Sequence, residues 1–500
     1  AGPKKAKHEA HAVRNKKGEL VFSNKDIKKV NLEHCLETFK NKDLHEEAKL
    51  AVTIKEWVHE ERMKEDNMDD FEITKEKFDD AVQELARKNK RSYDFLTRAS
   101  KGFQNSIYKL IKRMVNEEVF PQRFFETLLC QLWKRKGSVE NLNNHRYVHM
   151  KEWLPKLCEM LTVKEMQSEI ISGGTMYQIG GIPGHCREEH LVVVKSFIQM
   201  LISQGKGCLV QLADFEKFFD SENLKGIMGS LYDSRVNQKA YRIWYKLNQK
   251  AVVSVKSASG TSEKAEVGDI CPQGGFGGAL VSGLDLARGC QTYFKSSQDE
   301  VNYGRVRGNP QLYQDDWARV AASVEAARVG MMKLLCMVRE KQLTCHPDKT
   351  CYVIFGDKRY IDKVRDKVAK EPIMLGTQVT KPSKEEMYLG DVLAEGSSLA
   401  ASTRATVDKR IARARGAIRE VKSIMEDFRM QAIGGMSGAW DLWKSGISAS
   451  LLANCGTWVK LEKEEIKKLN KVFHEFLRNI YACPPSTPLP ALRSQAGMVS

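Results

Sequence analysis

The stretch QLYQDDWARV, residues 311–320, sets two adjacent aspartates inside an apolar run. Asp315 and Asp316 carry charge where Leu312, Tyr313, Trp317 and Val320 suit burial. Like charges side by side in such a setting are costly unless a cation neutralises them. Apolar flanks about a polar turn pair predict a β-hairpin with the aspartates at its tip. The chain must therefore fold so that this tip meets a counter-charge.

The flanking sequence predicts what the hairpin pairs with. GCLVQLADF reads as a short buried strand ending at Asp214. Ser221 is expected to cap the next helix, with Leu224, Ile227, Met228 and Leu231 on one face. The glycine-rich CPQGGFGGALVSGLDLARG opens another helix. After the hairpin, Ser323 opens a helix with Val324, Ala327, Met331, Leu334 and Val338 on one face, and KTCYVIFG is the closing strand. Strand, helix, hairpin, helix, strand is the split βαβ plan of a ferredoxin-like sheet, here with one extra helix inserted. On adjacent strands, Asp214 and the hairpin aspartates can meet at one edge of the sheet. The fold hosts many functions, so the site must decide.

Carboxylate oxygens with no His or Cys nearby favour Mg²⁺ or Mn²⁺ over zinc. Two such ions roughly 3.5–4 Å apart serve in-line phosphoryl transfer, which makes nucleotidyl transfer the expected chemistry. A lone Asp-Asp pair is more often a turn or a solvated edge. Here a strand-terminal aspartate, a Pro-Gln-Gly turn and a basic chain accompany it in order. Lys and Arg number 80 against 64 Asp and Glu, a net charge of +16. That excess suits a polyanionic partner such as nucleic acid, with plain solubility charge as the competing reading.

Five hundred residues suit two to four subdomains, and 42% apolar residues suffice for packed cores. The 12 cysteines include no C-x-x-C pair, the pattern of reduced buried thiols in an intracellular protein. No signal peptide or membrane-length apolar run occurs, so no membrane partner is expected. The chain starts at Ala1 without a methionine and stops amid ordinary sequence, which suggests a fragment or processed piece. Residues 1–70 read as a loose basic arm with connecting helices. Thr74 fits the N-cap of a helix that buries Phe78, Val82 and Leu85. Near the other end, Val407, Ile411, Ala414, Ile418, Val421, Met425 and Phe428 form one helical stripe. Ile466, Leu469, Phe473, Phe476 and Ile480 form another. Such stripes predict a helical bundle, with a dimerising coiled coil as the alternative.

LADFEKFFDSENL, CPQGGFGGALVSG, YQDD, HPDKTCYVIFG and YLGDVL, in that order, resemble the successive palm motifs of reverse transcriptases, above all those of non-LTR retrotransposons of the LINE type. LWKRKGSVENLNNHRYV resembles the family's fingers segment, and YQIGGIPGHCREEHLVVVKSFI the block before the first palm motif. The likeness spans about residues 70–395. It implies an α+β right-hand polymerase: helical or mixed fingers over 71–206, an antiparallel ferredoxin-like palm over 207–395, and a helical thumb with the start of a following region over 396–500. Asp214, Asp315 and Asp316 would hold two Mg²⁺ ions, or Mn²⁺, assisted by the Phe215 carbonyl. Phe219 would reject a 2′-hydroxyl; its plain alternative is a core aromatic. Gln273 and Gly274 would shape the nucleotide pocket, and Lys349 would reach the leaving pyrophosphate as electrostatic partner or general acid. Lys136 and Arg146 would grip the triphosphate. Leu389 and Gly390 would support the primer end.

The implied activity is RNA-directed DNA synthesis on element RNA, primed from target DNA, with deoxynucleotides as substrates and the nucleus as the place of action in a eukaryote. The alternatives are an intron-encoded or telomerase-like reverse transcriptase, an RNA polymerase of viral type, which the deoxy preference implied by Phe219 disfavours, and an inactive or domesticated copy that only binds nucleic acid. Some positions depart from the family. Ile182 stands where an arginine is common before Pro-Gly, NKRSYDF replaces a proline- and glycine-rich turn, and Arg319 follows the aspartate pair where an apolar residue is expected. Arg319 is expected to pair with a carboxylate or to face solvent. The basic face of STRATVDKRIARARGAIREVK suits a thumb helix along a duplex, or an ordinary solvated face.

Overall fold

The strand Cys208–Asp214 (β1) is buried at every position but its last, and the rest of the central sheet is assembled around it. The computed structural model describes residues 12–39, 46–64, 71–88, 90–174, 177–268, 271, 274–295, 301–303, 306–308, 310–426 and 435–496. Gln311–Tyr313 (β2) and Asp316–Ala321 (β3) form the expected hairpin, and β3 pairs antiparallel with β1. Cys351–Phe355 (β4) pairs antiparallel with the other edge of β1, and Lys381–Ser383 (β5) adds parallel to β4. The sheet order is β2-β3-β1-β4-β5. Its first four strands follow the split βαβ arrangement that the alternation of strands and helices predicts.

Strand periodicity sends successive residues to opposite faces. Leu209, Ala213, Trp317, Ala321, Tyr352 and Ile354 share one core with two helices, Gly278–Phe294 (α2) and Val324–Glu340 (α3). Cys208, Val210, Leu212, Ala318, Val320 and Val353 share another. The latter is closed by Arg187–Ser203 (α1) and by a hairpin of Glu385–Tyr388 (β6) and Asp391–Ala394 (β7). A sheet covered on both faces explains why β1 reads as a near-continuous apolar run.

Ser323 caps α3 and Thr74 accepts from Lys77 N, as their positions predict. Ser221 does not cap the helix Leu224–Asp233. Asn223 does, accepting from the backbone of Lys225 and Gly226. The Ser221 hydroxyl bonds instead to the Glu216 carbonyl.

A second sheet, which the motif pattern does not suggest, stands apart. His145–Met150, Glu126–Trp133, Ala251–Ser257 and Gly260–Thr261 are its successive strands, with Ala265–Gly268 also on Ala251–Ser257. The pairing of Glu126–Trp133 with Ala251–Ser257 is parallel. It crosses the boundary expected at residues 206/207, so the chain leaves the central sheet after β1 and returns only at α2.

The C-terminal helices Ala400–Glu426 (α4) and Lys463–Ile480 (α5) pack around Val407, Ile411, Ala414, Ile418, Val421, Val472, Phe476 and Ile480. Leu469 and Phe473 are half-buried against this core. Ile466, one turn into α5, is exposed, and Val472 takes the interior position that the spacing argument gave to its neighbours. Phe428 lies outside the described residues, as do residues 1–11, 40–45 and 65–70 of the basic arm.

Candidate active site

Asp214 and Asp316 are direct partners across β1 and β3. Each continues the alternation of residues on the α1 side of the sheet, so the two carboxylates project from the same face. Antiparallel partners stand roughly 4.5–5.5 Å apart at Cα, and like charges so placed destabilise the pair. Asp315 occupies the two-residue turn with Gln314. The three acids expected to converge do so at one end of the sheet.

Their electrostatics follow from burial and crowding. Asp316 is pushed up to about 7, first by burial and then by Asp315 and Asp214. Asp315 is also raised, chiefly by burial, while Arg146 and Lys349 pull it back. Lys349 Nζ bonds to one carboxylate oxygen of Asp214, so the lysine is the first counter-charge of the cluster. It stands in the turn before β4, where its N–H donates to the His346 carbonyl. The bridge between Phe215 and Cys345 is made by Glu216 N to Thr344 O and His346 N to Asp214 O. Neither bond uses the carbonyl of Phe215. Among the described residues, no three acidic, His or Cys side chains stand close enough to form a ready metal cage. One oxygen of Asp214 is committed to Lys349 instead.

A cationic rim faces the acids. Lys134 leaves the end of Glu126–Trp133, and its N–H is tied to the Asn144 carbonyl. Its ammonium is held below the ordinary lysine value by burial and then by Arg146, Lys217 and Lys349. These four cations from three parts of the chain thus share one region. Lys134 and Lys217 were not among the expected residues. Lys217 lies within the LADFEKFFD stretch at φ +44°, which turns its chain direction right after the acid. Lys136, expected in this role, lies in the turn that follows Lys134, and both residues are exposed.

Phe219 is half-buried and meets Phe218 edge-on, with centroids 5.0 Å apart. Gly274 has φ +96°, and a Cβ there would stand 2.9 Å from Val148 Cγ1, so the loop closes directly on the strand of Arg146. Gln273 lies outside the described residues. Ile182 is buried in the large helical core, 7% exposed. Arg319 does not face solvent. It is 1% exposed, donates to Gln211 Oε1 at 3.1 Å and to the Ala326 carbonyl at 2.9 Å, and lies 5.8 Å from the Phe294 ring.

Leu389 and Gly390 form the two-residue turn of β6 and β7, with φ +48° and +89°. The turn is held from below. Asp391, fully buried, accepts from Lys195 Nζ at 2.6 Å, Asn454 Nδ2 at 3.0 Å and the Thr457 hydroxyl at 3.0 Å. Arg410 of α4 donates to the Gly390 carbonyl at 2.8 Å, and Asn454 to that of Leu389 at 3.0 Å. This polar network locks the turn to α1 and to the C-terminal helices. Tyr388, just before the turn, is raised by burial and by the nearby charge of Asp316, which puts the turn next to the acids. Other basic residues of α4 are engaged within the chain: Arg404 with Glu465, and Arg415 with Glu475.

No protein-family model matches the chain, and no curated protein matches it. Among solved structures, apo telomerase from Candida tropicalis, truncated from its C-terminal domain, is similar at a TM-score of 0.39 and 10% identity. That likeness covers 55% of this chain and 54% of the other, so the chain spans about half of that relative's length. Telomerase from Candida albicans, in complex with the TWJ fragment of telomeric RNA, is similar at a TM-score of 0.42 and 10% identity, over 78% of this chain and 68% of that one. Likenesses this distant carry no weight for the activity of this chain.

Proposed function

We propose that the chain is an RNA-directed DNA polymerase of the reverse-transcriptase type, working by metal-assisted nucleotidyl transfer. The observation that carries this reading is the register that sets Asp214 opposite Asp316, with Asp315 in the adjoining turn. Crowding three half-buried acids together is costly unless the site has a use for concentrated negative charge. Their oxygen-only donor set fits Mg²⁺ or Mn²⁺. Asp214, Asp315 and Asp316 would hold the ions, with the Phe215 carbonyl, which the neighbouring bridge leaves out, assisting. When bound, such ions would supply a more acidic primer hydroxyl and charge stabilisation for leaving pyrophosphate.

The chain's own residues do the rest. Asp214, whose carboxylate takes the Lys349 ammonium in this structure, would hold the cation, and Lys349 would neutralise or protonate the leaving group. Lys134, Arg146 and Lys217 gather phosphate oxygens. Phe219 closes the sugar side against a 2′-hydroxyl. Leu389 and Gly390, rigid in their network, support the primer end. The excess of 16 positive charges suits a duplex held through its phosphates. Within this reading, copying of a non-LTR element's RNA, primed from target DNA in the nucleus, is the finer assignment, supported by the motif order alone.

Primer extension on an RNA template tests the proposal. Extension with deoxynucleotides and a divalent ion is expected. Its loss in Asp315→Asn, with RNA binding retained, is expected too. Equal use of ribonucleotides would remove the reverse-transcriptase assignment, and RNA binding without extension would leave a nucleic-acid-binding copy.

A further inference from the structure

The hairpin that presents Asp315 and Asp316 turns in two residues, and the first of them, Gln314, has φ +59°. Left-handed backbone is unfavourable for a residue with a Cβ, by about 1 kcal/mol. The turn is held from outside the hairpin. Residues 177–180 run beside β2: Leu312 N donates to the Tyr177 carbonyl at 2.7 Å, and Ile179 N to the Leu312 carbonyl at 3.3 Å. Gln178 lies in parallel bridge register with Leu312.

From this flank the Gln178 side chain reaches the turn itself. Its Oε1 accepts from Gln314 N at 2.9 Å, and its Nε2 donates to the Gln314 carbonyl at 3.0 Å. Oε1 also accepts from Gly180 N at 2.8 Å. A side-chain amide thus grips both polar groups of one turn residue, as a neighbouring strand would. The side chain is 2% exposed, so water cannot readily replace these bonds. Two glycines make the slot. A Cβ at Gly180 would stand 2.4 Å from Gln314 N, and one at Gly283 on α2 would stand 2.9 Å from Gln178 Cγ.

We propose that Gln178 is a positioning residue that fixes the Gln314 turn and thereby sets where Asp315 and Asp316 present their carboxylates to a divalent cation. The proposal rests on the reading of this site as a metal-dependent polymerase centre. Gln178 touches neither substrate nor acid; it acts through one backbone residue. Glutamine suits the task because a carboxylate lacks the donor for the Gln314 carbonyl, and asparagine is one methylene too short.

Two volume-conserving variants of the full chain test it. Gln178→Met keeps the packing and loses all three bonds. Gln178→Glu keeps the acceptor and loses the donor. Each is titrated with Mn²⁺ alone, without nucleotide or template, and each is assayed for primer extension. Residues that orient metal ligands typically change affinity or activity by about 10–100-fold. The expected result is Mn²⁺ affinity about tenfold weaker in both variants. A kcat lowered about as much is expected as well, with KM for deoxynucleotide moved less than about threefold. Both variants should also lower the denaturation midpoint, since each leaves buried polar groups unpaired. The discriminating readouts are therefore Mn²⁺ affinity and the split of kcat against KM, measured well below that midpoint, where a merely structural role would leave both unmoved. Template binding should stay close to the parent's. Mn²⁺ affinity equal to the parent's in both variants would overturn the proposal. Because Mn²⁺ binding is read without catalysis, a parent chain that binds Mn²⁺ yet extends no primer would end the polymerase reading while still reporting on Gln178.

Discussion

The acids that make the site should also weaken the fold, and Asp316 is where this is most measurable. Its carboxyl is pushed from the ordinary aspartate range up to about 7. The folded value lies above the unfolded one, so between about pH 4 and pH 7 the folded state holds a proton that the unfolded state has released. Stability therefore falls as pH rises through that window, and the loss is complete above it. Three pKa units at about 1.36 kcal/mol each set a ceiling of about 4 kcal/mol. The repulsion is shared with Asp315 and Asp214, and the group is partly open to water, so about 2 kcal/mol is the working figure. Asp316→Asn keeps the shape and removes the charge. In chelator at about pH 8, this variant should resist urea better than the parent by about 2 kcal/mol. The advantage should shrink as pH falls and vanish below about pH 4, while catalysis is abolished at every pH. Buried Trp317 next door offers a fluorescence signal for the transition. An asparagine variant no more stable than the parent at alkaline pH, or an advantage indifferent to pH, would show that the Asp316 carboxylate does not weaken the fold.

Other perturbations separate the remaining parts of the account. Asp391→Ala strands Lys195 and Arg410, both buried, and should cost about 3–5 kcal/mol in denaturant melts. Arg146→Gln and Lys134→Gln should each raise KM for deoxynucleotide about 10- to 150-fold with a smaller change in kcat, measured by steady-state primer extension, since a lost charge-assisted contact is worth about 1.5–3 kcal/mol. An effect on kcat alone would place these cations elsewhere in the cycle.

What could be read from sequence is what depends on local pattern. Asp214 was legible because an apolar run ended on it, and Asp315 and Asp316 because charge interrupted a strand pair. Alternation then placed Asp214 and Asp316 on one face. Gln178 was not legible, since its partners are the backbone N–H and C=O of Gln314, 136 residues away, which no side-chain pattern reports. Lys134 has the residue type and neighbourhood of Lys136, and only the pairing of Glu126–Trp133 with His145–Met150 distinguishes them. The second sheet was hidden for a related reason. AVVSVKS alternates as a strand should, but its parallel partner lies over a hundred residues upstream, within the span expected to form the fingers. Ile466 failed because spacing assigns a stripe without fixing its phase: at that turn Glu465, buried and paired with Arg404 of α4, takes the interior side.

Iron-directed cleavage reports whether Asp214, Asp315 and Asp316 share a divalent cation. Fe²⁺ with ascorbate and peroxide cuts a protein backbone close to the bound metal. Cuts next to residue 214 and at residues 315–316, suppressed by excess Mg²⁺ and absent from Asp214→Asn, are the predicted result. Cleavage at other places only, or a pattern unchanged by Asp214→Asn, would contradict it.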